Sequence, residues 1–200
     1  MKGCFAVLAL AAIAALTGCG DVPMTYSPSD PMAQIDPFYD DGVGGRDIQL
    51  VVLGEPFPGM AHDQFARVVE ADLQNLQTMR QPTRPVLAPG SDAKPIYRLV
   101  YVFNPSNTLF GNAICRRGMK PEAAAGAAPA SAPPSAGGGT VTAVAAFCVE
   151  YRSVSEISGQ TVASDAGDVR FYALTRQMMS DVFRLDARRP SNTVVPRSSP

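Results

Sequence analysis

The chain has 200 residues, with 17 basic and 18 acidic side chains and a net charge of −1. That balance leaves no basic footprint for nucleic acid, and no nucleic-acid partner is expected. Charged residues are only 18% while Gly and Pro number 17 and 18, which suits one ordinary domain joined to weakly charged, flexible segments.

Lys2 supplies a positive start, and Phe5 to Leu16 then run without a polar residue. As a helix this run is roughly 18 Å long, short of the roughly 30 Å hydrocarbon core of a bilayer. A charged start, a short apolar middle and small residues beyond it predict a secretory signal peptide over residues 1–18.

The end of that signal, Leu16-Thr17-Gly18-Cys19, resembles the lipobox of bacterial lipoproteins. The resemblance implies lipid attachment at Cys19, with a diacylglyceryl group on its sulfur, cleavage between Gly18 and Cys19, and acylation of the new terminus. Two or more acyl chains, at about 0.8 kcal/mol per buried CH₂, anchor a protein stably. Gly20, rather than Asp, follows the cysteine. In the sorting rule of such lipoproteins this points to the outer membrane, with the protein facing the periplasm. The resemblance covers about the first twentieth of the chain and reports an address. The mature part is similar only in general appearance to envelope lipoproteins of Gram-negative bacteria, on no family motif.

Residues 19–45, rich in Pro, Asp and Gly, predict a flexible tether. A chain of about 26 such residues reaches near 30 Å, enough to stand the folded part off the membrane. Arg46 to Leu53 predicts a strand, and the Gly and Pro residues of 54–59 a turn. Phe65, Val68, Val69, Leu73 and Leu76 then recur at helical spacing, ended by Pro82 and Pro85. Tyr97 to Phe103 is the strongest strand, with Tyr97, Leu99, Tyr101 and Phe103 on one face.

Residues 119–139 are a low-complexity insert of Ala, Pro, Gly and Ser. One long strand is expected over Val141 to Val154, a hairpin turn at Ser158-Gly159-Gln160, and a short strand around Thr161 to Ala163. Asp168 is placed to cap a final helix, Val169 to Leu185, whose buried stripe is Phe171, Leu174, Met178, Val182 and Leu185. The tail 189–200 has no pattern and is expected to be disordered.

These elements make an α+β fold: two amphipathic helices packed on one face of a small, mostly antiparallel sheet, in a single domain over 46–188. The first strand–helix–strand unit is compatible with a parallel crossover.

Of four cysteines, Cys4 leaves with the signal and Cys19 takes lipid, so Cys115 and Cys148 remain. In an oxidising compartment they are expected to form a disulfide, with two buried free thiols as the alternative. Zinc would want four ligands, and the chain has one histidine.

No nucleophile elbow or metalloprotease motif is present. His62, in the first turn of the first helix, and Glu55 before it are single candidates for acid–base work, read first as surface residues. The paired arginines at 116–117 and 188–189 read likewise as solvated surface. No catalytic residue, metal or cofactor is therefore assigned. The expected function is a non-enzymatic interaction or accessory subunit with a protein partner in the envelope. A small-ligand, glycan or peptidoglycan binding module is the alternative, and a hydrolase the third class.

Overall fold

The computed structural model describes residues 23–26, 38, 41–42, 44–74, 83–105, 109–119 and 139–183. Its strands are β1 (Met24–Tyr26), β2 (Asp47–Leu53), β3 (Arg84–Val86), β4 (Tyr97–Phe103), β5 (Gly139–Val149) and β6 (Arg152–Ala163). Its helices are α1 (His62–Gln74), α2 (Asn112–Gly118) and α3 (Val169–Phe183). The strands form one sheet in the order β1-β6-β5-β4-β2-β3.

The α+β class holds, but the sheet is mixed rather than mostly antiparallel. β1, β6, β5 and β4 pair antiparallel, whereas β2 runs parallel to both β4 and β3. The cause is α1, which carries the chain back along the sheet so that β3 and β4 start from the same end as β2. Every residue of β4 is buried and β2 is nearly so, because both faces of these strands are covered.

One face carries the larger core. Phe65, Val69 and Leu73 of α1 and Phe171, Leu174, Met178 and Val182 of α3 share a cluster with Ile48, Leu50, Leu99, Tyr101 and Phe103. The Phe171 ring lies 5.3, 5.8 and 5.6 Å from those of Phe57, Phe65 and Phe103. Full burial of such a side chain contributes about 1.5–3 kcal/mol. Asp168 caps α3 by accepting the Arg170 N–H at 2.9 Å, and also accepts the Ser164 N–H at 3.0 Å. The Arg170 guanidinium, 2.8 Å away, holds the Asp168 carboxyl well below the usual carboxylate range.

A buried polar link ties α1 to α3. Asp72 accepts the Thr175 hydroxyl at 2.5 Å and Arg176 Nε at 2.7 Å, while the Tyr101 hydroxyl donates to the Thr175 carbonyl at 3.0 Å. Burial pushes the Asp72 carboxyl above its ordinary value, and Thr175 and Arg176 pull it back only in part.

The opposite face carries a smaller core of Val51, Leu53, Val100, Val102, Val144 and Ala146 beneath Leu109, Ile114 and Cys115. α2, read in the sequence only as a short segment beyond a turn, forms this cover. It approaches β4 so closely that a Cβ on Gly118 would stand 2.7 Å from Val100 Cγ2.

Two expectations about the last strands are corrected. The run Val141 to Val154 is two strands, because the chain reverses at Glu150-Tyr151. No Gly, Pro or Asn marks that turn. Glu150 takes a φ of 54°, its N–H donates to the Ile96 carbonyl at 2.7 Å, and its carbonyl accepts Arg98 Nη2 at 2.5 Å. Conversely, Ser158-Gly159-Gln160 is no turn but the middle of β6. Gly159 is closely packed there: a Cβ would meet Leu174 Cδ1 at 2.7 Å and the Met24 carbonyl oxygen at 3.2 Å.

The tether expected over 19–45 is also shorter than drawn. Met24–Tyr26 pairs with Ser158 to Gln160, and the Thr25 hydroxyl donates to Asp181 Oδ2 at 2.7 Å while accepting Gln177 Nε2 at 2.9 Å. At the other end Asp41 accepts Lys94 Nζ at 2.7 Å and the Tyr97 hydroxyl at 2.9 Å. The insert between Met119 and Gly139, the tail beyond Phe183 and the signal peptide lie outside the described residues.

Candidate functional site

Cys115 and Cys148 stand at disulfide distance, with Cα atoms 5.6 Å apart. Both are fully buried. The bond joins the middle of α2 to β5, so the helix is fixed to the sheet by a covalent link as well as by packing. Cys19, the expected lipid attachment site, lies outside the described residues. Arg116 and Arg117 occupy the last turn of α2, and Arg188 and Arg189 are beyond the described part.

The fold brings together two side chains that the sequence offered singly. His62 opens α1, Glu55 sits in the turn after β2, and His62 Nδ1 is 3.6 Å from Glu55 Oε1. The glutamate is half-exposed and the histidine a quarter exposed, so water competes for both. Such a pair has the groups for general acid–base work. Among the described residues no three His, Cys, Asp or Glu side chains stand close enough to hold a metal ion.

A wide concavity lies elsewhere, on the α2 side of the sheet. α2 lies over β2, β4 and parts of β5 and β6, and leaves β1 and the Ser158 to Gln160 stretch of β6 uncovered. The uncovered part is a groove of about 500 Å³. Its floor is Thr142 and Val144 of β5 with Ser158 and Gln160 of β6, and its walls are Met24 and Phe110. No charged side chain lines it.

Each wall is held in place from behind. Met24 points to the groove because its neighbour Thr25 is bonded to α3 on the other face, and strand side chains alternate. Phe110 is set by the residues that follow it. Gly111, at a φ of 59°, donates its N–H to Glu156 Oε2 at 2.6 Å, and Asn112 Oδ1 accepts the Ser153 N–H at 2.9 Å. Burial raises the Glu156 carboxyl, and the Gly111 N–H lowers it in part.

Met24 and Phe110 are 65% and 54% exposed, and Val162, two residues beyond Gln160 on the same face of β6, is 46% exposed. Met24 and Phe110 thus flank an uncharged groove, and Val162 continues the apolar face along β6. The sequence does not reveal this site, because its parts are far apart in the chain and Met24 falls within the stretch expected as tether. Among the described residues no helix is long and apolar enough to cross a membrane.

Compared with protein family models, with curated proteins and with solved structures, the chain matches none.

Proposed function

We propose that the chain is a lipid-anchored envelope lipoprotein, with signal peptide 1–18 and lipid on Cys19. Its single α+β domain, with α1 and α3 as two amphipathic helices on one sheet face, then serves as a non-enzymatic interaction subunit at the periplasmic face of the outer membrane. The observation that carries the reading is the Cys115–Cys148 pair at disulfide distance inside the core. Such a pair suits an oxidising compartment, to which a secretory signal delivers its cargo. The Leu16-Thr17-Gly18-Cys19 motif adds the anchor.

Intact-mass analysis of the mature protein tests the address. A terminus at Cys19 carrying acyl mass, and two fewer hydrogens on the remaining cysteines, is the expected result. An unmodified Met1 terminus removes the reading. In-cell crosslinking with pull-down tests the role: a stoichiometric envelope protein is expected, and a consistently solitary chain sinks it.

The groove favours a second reading, a small-ligand binding module. Its walls of Met and Phe over Thr, Ser and Gln suit an apolar ligand better than a glycan or peptidoglycan, for which no Tyr or Arg lines it. A hydrolase would have to centre on Glu55 and His62, and an unaltered cellular phenotype in His62→Ala excludes that.

A further inference from the structure

The position of β1 sets a distance. Met24 is part of the sheet, and only residues 20–23 separate it from Cys19. Fully extended at about 3.6 Å per residue, that stretch lets Met24 move no more than about 18 Å from an anchored Cys19. The long stand-off expected of a free tether is thereby lost for this edge of the domain. Whatever face surrounds Met24 is the face that an anchor would bring to the lipid surface.

That face is the one with the groove. Met24 and Phe110 are exposed apolar side chains lining it, Val162 is exposed on the same face further along β6, and no charged group lines the groove, so covering it with lipid leaves no lining ion unpaired. Arg116, exposed on α2 on the same side of the sheet, is the kind of cation that meets phosphate oxygens at such a boundary. The opposite side of the sheet, by contrast, is occupied by α1 and α3.

We propose that the β1–β6–α2 face lies on the bilayer, with Met24, Phe110 and Val162 entering the boundary between headgroups and acyl chains. The proposal rests on acylation of Cys19 and names what the domain does with that anchor: it is pressed against the membrane and presents the α1–α3 side to the periplasm. An acyl chain alone fixes distance, whereas a second apolar contact fixes orientation.

The chain contains no tryptophan, so single reporters are straightforward. Phe110→Trp and Val162→Trp place one on the proposed contact. Val169→Trp places one at the start of α3, where Val169 is 75% exposed. The mature, acylated full chain is incorporated into phosphatidylethanolamine–phosphatidylglycerol vesicles with brominated acyl chains.

The expected result is that F110W and V162W shift to the blue and lose most of their emission, while V169W keeps its own. Equal quenching of all three, or none, overturns the proposal. A blue shift without quenching means that the protein's own acyl chain fills the groove, and this also overturns it. An unacylated Cys19 by intact mass removes this inference together with the anchor. An acylated Cys19 with unquenched F110W and V162W removes this inference alone.

Discussion

The two sides of the sheet are closed by different means. On one, buried residues of α1, α3 and the strands share one large cluster, and four phenylalanine rings meet edge to face or tilted at 4.9 to 6.1 Å. On the other, a helix of seven residues covers only part of the surface and is tied down through Cys115 and Cys148. A helix so short buries too little apolar area to hold itself. Where packing is extensive the chain needs no covalent help, and where a groove is left open a disulfide substitutes for the missing area.

The largest test of that contrast is Phe171→Ala. It removes a fully buried ring with four aromatic neighbours and should cost about 3–5 kcal/mol, read as a lower urea midpoint at unchanged slope. A loss below about 1 kcal/mol would mean the larger core is not packed as one unit. Next comes the paired change Cys115→Ala with Cys148→Ala. The loop it opens spans 33 residues, and a loss of about 2–4 kcal/mol is expected. Hydrogen exchange should show α2 opening first in that variant, while α1 and α3 stay protected. Uniform exchange across all three helices would break the contrast.

These two experiments probe parts of the fold that were unequally legible in the sequence. α1, α3, β2 and β4 carry apolar residues over windows long enough to show a period, and Asp168 stands where a cap belongs. α2 has only Ile114 and Cys115 as its buried large side chains, too few to define any spacing. β1 and β3 are three residues each and are strands because of what they pair with. Gly159 misleads for a physical reason: a glycine marks a tight place, and here the tightness is Leu174 pressing on the strand rather than a bend. The disulfide could be read by elimination, but the groove could not, since Met24 and Phe110 meet only through β6.

Asp168→Ala is a smaller probe of the larger core. Loss of the α3 cap should cost about 1 kcal/mol by thermal or urea unfolding at neutral pH. Asp168 has a folded-state value below its ordinary 3.8, so its contribution is complete above that pH and fades as pH falls toward the depressed value. The gap between wild type and variant should therefore close in acid. A gap that persists unchanged to pH 2 would assign the loss to packing.

The smallest effect is a slope. Asp72 is shifted the other way, so the fold holds its proton more tightly than the unfolded chain does. Its contribution is most favourable below pH 3.8 and declines as pH rises through 3.8 to the raised folded value. Asp72→Asn should flatten that part of the stability curve, measured as urea midpoints across acidic pH. An identical curve in the variant would show that Arg176 and Thr175 fully compensate the buried charge.

β1 is a latch with an unusual placement. Thr25 reaches Asp181 across 156 positions of sequence, so among the described residues the first strand waits for the last helix. The entropy of closing such a loop grows only as the logarithm of its length, but it falls on an element of three residues. β1 should consequently be the last piece to seat during folding and the first to lift under tension. Any pull on the N-terminus is borne by a few backbone hydrogen bonds and one threonine. When they yield, the N-terminal chain lengthens and the edge of β6 is bared, while the two cores stay intact. The strand is thus the point at which tension on the N-terminus would first be felt by the domain.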